Sequence, residues 1–209
     1  MDENELLHNE SLKDTTIKSN IYNKWAISYD NYVDKKHYTG PNELIDILYK
    51  YIKSNSAFDE TIKKNILDFG CGTGLVGAQL RKKMIITSLH GIDISTKMLD
   101  ICKQKTLYNN LYNIDLSKDT LQNNILYDYI ISSGVFLEGH ADISLILELT
   151  KYLKNNGIMI FTIRQTYLNN NINKFNKITK YNKNIIVVNA FNINYLFNVK
   201  CKLYILKKI

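Results

Sequence analysis

Apolar residues along this chain follow two repeating patterns, and together they predict an α/β fold. Short apolar runs rich in Ile, Leu and Tyr predict strands that are buried on both faces of a sheet. These runs lie at 66–69, 85–92, 111–114, 127–133 and 158–163. Between them, apolar residues recur at spacings of three and four, which predicts helices. Strands and helices therefore alternate, as they do around a mostly parallel sheet.

The region before the first strand predicts helices only. Residues 1–18 are polar, and we expect them to be frayed. A helix follows whose apolar face is formed by Ile21, Tyr22, Trp25, Ala26 and Tyr29. The next helix begins at Thr39-Gly40-Pro41, where proline is tolerated in the first turn, and it ends at Asn55-Ser56.

The region after the fourth strand predicts two helices and three more strands. One helix begins at Asp142 and ends at Asn155-Asn156-Gly157, directly before the strand at 158–163. A second helix is expected around Tyr167–Ile178. The last two strands are expected from about Ile185 and over Lys200–Leu206.

Length and composition narrow the class of protein. A chain of 209 residues that is 45% hydrophobic and 22% charged fits one globular domain with a sizeable core. The three cysteines have no paired spacing, which argues against a disulfide scaffold or a zinc site. The N-terminus has no apolar signal core, and no apolar run reaches membrane length. We therefore expect a soluble, cytoplasmic protein with no bound metal and no membrane partner. The sequence leaves its oligomeric state open, with a monomer favoured.

The net charge of +7 is unevenly distributed along the chain. Residues 151–209 carry ten Lys, Arg164 and no acidic residue, whereas residues 1–150 carry more acidic than basic residues. Such asymmetry can mark a nucleic-acid partner. The same segment is rich in Asn, Ile and Tyr, so compositional drift is the competing explanation and is the one we favour.

The most informative stretch for chemistry is Ile66–Gly74, which reads Ile-Leu-Asp-Phe-Gly-Cys-Gly-Thr-Gly. It predicts a strand, a tight turn and a helix that opens at about Thr73. Glycines at alternate positions let backbone N–H groups approach a ligand, and the helix N-terminus adds a positive dipole end. A dinucleotide-binding turn of the form Gly72-x-Gly74-x-x-Gly77, or a turn with glycines only for tight packing, would explain the glycines but not Asp68.

This stretch, with its acidic-x-Gly-x-Gly-x-Gly pattern, closely resembles motif I of the class I S-adenosylmethionine (SAM)-dependent methyltransferases. Two further segments carry the same resemblance, the aromatic helix Tyr22–Asp30 and the strand-helix-strand unit Tyr127–Arg164. In the second, Asn156-Gly157 stands where the superfamily usually has Gly-Gly. Within the superfamily the chain is most similar to the methyltransferase-like protein 27 group, in points that include His90–Asp93 and Gly139-His140.

The resemblance implies a fold, a cofactor and a domain plan. The fold would be Rossmann-like, with a seven-stranded, mostly parallel sheet, an antiparallel last strand and helices on both faces. The cofactor would be SAM, with S-adenosylhomocysteine (SAH) as its product. Residues 1–209 would form one methyltransferase domain, in which residues 1–60 make a helical cap over the cofactor and residues 61–209 the core.

The resemblance also implies a set of cofactor-binding residues. Asp93 lies at the carboxyl end of the second strand, where ligands bind in open α/β sheets, and its carboxylate can accept both ribose hydroxyls. Its alternative role is helix capping. Asp115 would take the adenine amino group, with a turn aspartate as the alternative. The full set of expected cofactor contacts is Trp25, Tyr29, Asp68, Gly70, Gly72, Gly74, Asp93, Ile94, Met98, Asp115, Leu116 and Ser132.

The catalytic demands of methyl transfer are modest. The protein must position the acceptor and exclude water, and a base is needed only when the acceptor carries a proton at neutral pH. By location the candidate bases are His140, Glu138, His37 and Tyr38, with His140 the first choice. A loop histidine without catalytic duty remains the alternative for His140.

Four functions are consistent with these features. The preferred one is a SAM-dependent methyltransferase that acts on a small molecule or a protein side chain. A second is an RNA or DNA methyltransferase that uses the basic C-terminal region, although the loop after strand four lacks an Asn/Asp-Pro-Pro-aromatic motif. A third is a non-catalytic SAM-binding subunit. A nicotinamide-dependent dehydrogenase is the least favoured, because it leaves Asp68 and the Tyr127–Arg164 unit unexplained.

Overall fold

A computed structural model describes residues 2–13, 17–55, 61–196 and 198–209, with the side chains of 61–63 excepted. Its centre is a seven-stranded sheet with the strand order β3-β2-β1-β4-β5-β7-β6. β1 to β5 run parallel to one another, and β7 pairs antiparallel with both β5 and β6. This arrangement confirms the predicted Rossmann-like methyltransferase fold with its antiparallel last strand.

The strands and helices alternate as the apolar pattern predicts. The strands are β1 (Thr61–Phe69), β2 (Ile85–Asp93), β3 (Asn110–Asn113), β4 (Tyr127–Phe136), β5 (Leu153–Arg164), β6 (Ile185–Leu196) and β7 (Val199–Lys208). The helices are α1 (Glu3–Ser11), α2 (Lys18–Lys35), α3 (Gly40–Asn55), α4 (Leu75–Lys83), α5 (Thr96–Gln104), α6 (Leu145–Thr150), α7 (Gln165–Asn170) and α8 (Ile172–Lys180). Among the described residues, no helix is both long and apolar enough to cross a membrane.

Helices cover both faces of the sheet. Successive residues of each central strand point to opposite faces, and the helices bury the apolar side chains on each face. On one face, Leu67 of β1 packs in a cluster with Leu149 of α6 and Phe175 of α8. On the other face, Ile66 packs in a cluster with Leu48 of α3. The central strands therefore lack a polar face, which explains why they appear in the sequence as continuous apolar runs.

Several predicted boundaries are wrong in the second half of the chain. The helix expected from Asp142 to Gly157 is only α6, which ends at Thr150, and β5 already begins at Leu153. Asn156 has a positive φ of 64°, so Asn156-Gly157 forms an irregularity inside the strand and does not end the helix. The helix expected at Tyr167–Ile178 is divided into α7 and α8 at Asn171.

The N-terminal prediction is correct for α2 and α3 and wrong for the residues before them. Glu3–Ser11 forms a helix, although this stretch was expected to be frayed. Leu7 is buried against α2, and Asp2 caps α1 by accepting a hydrogen bond from the Asn4 amide. α3 reaches Asn55 as predicted, while Ser56 lies outside the described residues.

Polar contacts fix α2 across the carboxyl edge of the sheet. Asn23 accepts hydrogen bonds from the Ser95 hydroxyl at 2.8 Å and the Lys97 amide at 3.1 Å. Asp30 accepts a hydrogen bond from the Thr73 hydroxyl and forms an ion pair of 2.7 Å with Lys105. α2 is thereby tied to the turn after β1 and to α5, which places it over the site described next.

Candidate functional site

A cavity of about 630 Å³ opens at the carboxyl ends of the parallel strands, beneath α2. Ligands of open α/β sheets bind at this edge, because the loops that follow neighbouring strands meet there. Four strand ends contribute to the wall, together with α2 and the loop before α6. The strand ends supply Phe69, Gly70, Gly72, Ile92–Ile94, Asn113–Asp119 and Ser133–Val135, α2 supplies Lys18, Ser19, Tyr22 and Tyr29, and Met98, His140–Asp142 and Leu145 complete the wall.

The glycine turn forms one side of the cavity. Gly70 and Gly72 both have positive φ angles, 71° and 52°, a region that side-chain-bearing residues rarely adopt. A Cβ on Gly70 would lie 2.2 Å from Cγ2 of Val135, so this position also needs glycine for space. A Cβ on Gly72 would meet no atom within 4 Å, and this leaves room beside the backbone for a ligand.

Asp93 connects the glycine turn to the following helix. Its two carboxylate oxygens accept hydrogen bonds of 2.8 Å, one from the Gly72 amide and one from the Ser95 amide. Burial raises the pKa of Asp93 above its ordinary value, and the backbone donors oppose this. A carboxylate has about four acceptor positions, so Asp93 keeps capacity for a ligand in the cavity.

A second carboxylate lies at the end of β3. Asp115 accepts a 3.0 Å hydrogen bond from the Ser117 amide and pairs with Lys118 at 3.0 Å. Burial acts to raise the pKa of Asp115, but Ser117 and Lys118 outweigh it and hold the pKa below its ordinary value. Apolar side chains lie on the same wall, namely Ile94, Met98 and Leu116. The cavity therefore has an acidic, partly apolar end between β2 and β3.

Of the two α2 residues expected at the cofactor, only Tyr29 lines the cavity. Trp25 is buried against α1, where its indole N–H donates a 3.1 Å hydrogen bond to Asn4 Oδ1. Its ring stacks on Tyr22 at a centroid distance of 5.9 Å, and Tyr22 does line the cavity. α1, which was expected to be frayed, thus packs on the outer side of α2, and Trp25 lies behind the cavity wall.

Three further expected contacts lie outside the wall. Asp68 is fully buried, with Oδ2 accepting a 2.6 Å hydrogen bond from the Tyr108 hydroxyl and Oδ1 without any partner among the described residues. Gly74 serves as the N-cap of α4, next to the turn. Ser132 donates a 2.9 Å hydrogen bond to the Phe69 carbonyl and is buried, so the following residue, Ser133, reaches the cavity in its place.

His140 is the expected base that the structure brings to the cavity. Its Nδ1 lies 2.9 Å from the Glu138 carbonyl oxygen, and its Nε2 is hydrogen-bonded to the Tyr22 hydroxyl. Lys18 donates a 3.1 Å hydrogen bond to the His140 carbonyl oxygen, which ties the start of α2 to this loop. Burial lowers the pKa of His140 to about 4, so its imidazole is neutral at physiological pH.

The other three candidate bases are not placed to act as bases. Glu138 pairs with Arg164 at 3.3 Å and does not line the cavity. His37 is exposed and lies outside the wall. Tyr38 donates or accepts a 2.9 Å hydrogen bond with Ser133, and burial raises its pKa to about 12, so it keeps its proton.

The set of expected cofactor contacts leaves out several wall residues, mainly Tyr22, Ser133 and Lys18. A signal existed for Tyr22, because it shares a helical face with Tyr29 at a spacing of seven residues. For Ser133 the pattern was misleading, since the β4–β5 pairing shifts register between Ser132 and Phe136. Lys18 belonged to the stretch that was expected to be frayed.

With this geometry described, comparison with known proteins identifies what the chain is similar to. Residues 52–191 match the methyltransferase small domain family. The human methyltransferase-like protein 27 is 31% identical over 156 residues, which cover 73% of this chain and 60% of that protein. The malonyl-[acyl-carrier protein] O-methyltransferase of Priestia megaterium is 30% identical over 141 residues, which cover 68% and 48%. The chain thus spans roughly half to three fifths of the length of these relatives.

Solved structures share the fold over nearly the whole chain. The plantazolicin methyltransferase, in complex with SAH, superposes with a TM-score of 0.68 at 15% identity and covers 98% of both chains. The magnesium protoporphyrin IX methyltransferase from Synechocystis PCC 6803, with bound SAM, gives a TM-score of 0.62 at 15% identity and covers 100% and 98%. At this level of identity the likeness concerns the fold.

Proposed function

We propose that this chain, which belongs to the class I SAM-dependent methyltransferases, transfers a methyl group from SAM to a small-molecule or protein acceptor. The observation that carries the proposal is the single cavity wall shared by the Gly70–Gly72 turn, Asp93 and Asp115, under the aromatic side chains of α2. Relatives at about 30% identity are methyltransferases by name, which supports the reaction class.

The residues present fit SAM. The open space beside Gly72 and the remaining acceptor capacity of Asp93 suit a ribose that lies against the glycine turn. Ile94 and Met98 can flank a flat adenine ring, and the ionised Asp115 can accept from its amino group. When bound, SAM supplies an electrophilic methyl group on a positively charged sulfur. The residues of this chain orient it and exclude water.

The acceptor fits the opposite end of the cavity. That end is lined by Ser133, Gly134, His140 and Lys18, and it adjoins the aromatic rings of Tyr22 and Tyr29. A volume of about 630 Å³ lies within the range of small-molecule sites. We assign the cofactor to the β2–β3 end and the acceptor to the end near His140.

The alternatives receive less support. Methylation of RNA or DNA would use the basic segment 151–209, but every described cavity residue lies at position 145 or earlier. A non-catalytic subunit needs only the cofactor end of the cavity and gives no reason for the polar groups around His140. The Rossmann-like sheet alone would also suit a dehydrogenase, but the family match does not.

Calorimetry and a transfer assay test this function together. The protein is expected to bind SAM and SAH and not NAD, and to incorporate label from methyl-tritiated SAM when fractionated cell extract supplies the acceptor. Binding of NAD without binding of SAM would overturn the assigned cofactor. Binding of SAM with no incorporation from any fraction would instead favour the non-catalytic subunit.

A further inference from the structure

Tyr22 and His140 form a hydrogen-bonded pair at the acceptor end of the cavity. Tyr22 belongs to α2 and His140 to the loop after β4, so they are 118 positions apart in sequence and meet only in the folded protein. Both side chains line the cavity. Neither hydrogen bond of the His140 ring is explained by binding of SAM at the other end.

The partners of His140 fix its tautomer. A carbonyl oxygen can only accept, so Nδ1 must carry the proton that it donates to the Glu138 carbonyl at 2.9 Å. In the neutral ring, Nε2 then holds a lone pair and accepts from the Tyr22 hydroxyl. The Tyr22 oxygen in turn has lone pairs that can accept a proton from a molecule in the cavity.

We propose that His140 and Tyr22 form a proton relay and that the methyl acceptor is a hydroxyl group. This inference rests on the proposed function. The acceptor oxygen forms a bond to the methyl carbon of SAM, and the S–CH3 bond breaks with its electron pair returning to sulfur. The acceptor proton passes to the Tyr22 oxygen as the Tyr22 proton passes to Nε2 of His140. The products are SAH, a methyl ether and an imidazolium.

The charge balance suits a weak base. Burial keeps the pKa of His140 low, and the positive charges of Lys18 and Arg164 act in the same direction, although the hydrogen bond to the Glu138 carbonyl opposes them. A hydroxyl oxygen becomes strongly acidic as it gains the methyl group, so a weakly basic imidazole suffices at that moment. The positive charge also leaves sulfur in the same step in which it arises on His140.

Other acceptor classes fit this end of the cavity less well. A carboxylate or a thiolate has no proton to lose, so the relay would serve no purpose. A protonated amine would have to approach a region where Lys18 and Arg164 already act as positive charges on His140. A neutral hydroxyl can donate a hydrogen bond to Tyr22 and is not repelled by these cations.

Variants separate a relay from a structural latch between α2 and the loop. The acceptor is the extract fraction that supports transfer by the wild-type protein, and the probe is methyl-tritiated SAM. Tyr22→Phe and His140→Gln are each expected to lower kcat by about 10²–10⁴-fold, the usual contribution of a general base. KM and Kd for SAM are expected to stay unchanged. Combining both substitutions should lower kcat no further, because the residues act as one unit. His37→Asn, at an exposed position, is the matched histidine control.

A latch gives a different result. Loss of the Tyr22–His140 bond would then loosen α2, raise KM and Kd for SAM and leave kcat unchanged. This outcome, or additive losses in the double variant, would overturn the relay. Alkali treatment of the labelled product tests the acceptor class, since a methyl ester releases volatile labelled methanol and an ether does not. Release of methanol would overturn the hydroxyl assignment, while SAM binding without any product would overturn the proposed function itself.

Nitrogen NMR of the wild-type protein with labelled histidine tests the tautomer of His140 directly, without relying on any variant. His140 is expected to show a protonated Nδ1 and an unprotonated, hydrogen-bonded Nε2 at neutral pH. A protonated Nε2 would leave no base at the end of the relay and would contradict the proposal.

Discussion

Replacing Asp68 by asparagine should make the protein increasingly stable relative to the wild type as the pH rises. Asp68 is fully buried below the glycine turn, and its Oδ1 has no partner among the described residues. Burial raises its pKa from 3.8 to about 7, with the hydrogen bond from Tyr108 opposing and the charge of Asp93 adding to the shift. Asparagine keeps an oxygen that accepts from Tyr108 but never ionises.

The size and sign follow from linkage between protonation and folding. Because the folded-state pKa of Asp68 is the higher one, its contribution to stability is fully present below pH 3.8 and is lost as the pH rises to about 7. The free energy of unfolding falls by about 1.4 kcal/mol for each pH unit in that window. Between about pH 5 and about pH 8, the wild-type protein should therefore lose roughly 3 kcal/mol that the variant keeps.

Urea unfolding at the two pH values measures this difference. Each protein gives a free energy of unfolding by linear extrapolation, and the quantity of interest is how the gap between variant and wild type changes with pH. Other titrating groups cancel in that gap, and the unpartnered amide of the variant costs the same at both values. Asp100→Asn, an exposed Asp-to-Asn substitution on α5, is the matched control against which the change in the gap is compared. A constant gap for Asp68→Asn would mean that Asp68 is ionised in the folded protein over the whole range.

Three shorter predictions concern ligand binding and the glycine turn. Asp93→Ala should weaken SAM binding, measured by calorimetry, about ten- to a hundredfold, because a charged hydrogen-bond acceptor contributes about that much to affinity. Asp100→Ala is the control, and an unchanged affinity of the Asp93→Ala variant would contradict the prediction. SAM should change the fluorescence emission of Trp25, because Trp25 packs on two tyrosines that line the cavity, and it should slow proteolysis of residues 20–35. If emission and cleavage rate are the same with and without SAM, these aromatic residues serve only the core. Gly70→Ala should lower the stability measured by thermal unfolding by at least about 1–2 kcal/mol, which is roughly the cost of a left-handed backbone at a residue with a side chain. The added methyl group would also lie 2.2 Å from Val135, and an unchanged unfolding midpoint would contradict this clash.

The sheet could be predicted from the sequence because local patterns determine it. β1, β2 and β4 are buried on both faces, so their sequences are continuous apolar runs, and the glycine turn fixes where β1 ends. Boundaries failed where a local signal had two meanings. Asn156-Gly157 is a typical helix ending, yet here the left-handed Asn156 lies within β5, after α6 has already ended.

The candidate site could be predicted in part, because strand ends are local features and their partners are not. Asp93 and Asp115 follow predicted strands and do line the cavity. Trp25 lies behind the cavity wall, because it packs against α1, which distant polar contacts hold on α2. Asn4 accepts hydrogen bonds from both Trp25 and Ser28, and no apolar periodicity reports such contacts.

The hydrogen bonds that Asp93 accepts from the backbone and its expected role in ligand binding are parts of one arrangement. The N-cap of α5 is Ser95, and the Asp93 carboxylate holds the Ser95 amide and, through its other oxygen, the Gly72 amide in the turn. These two bonds position the backbone against which a ribose would lie. A cofactor that adds further hydrogen bonds to Asp93 would stabilise the same ionised form that the two amides already favour. Loss of the Asp93 carboxylate should therefore impair the glycine turn and ligand binding together.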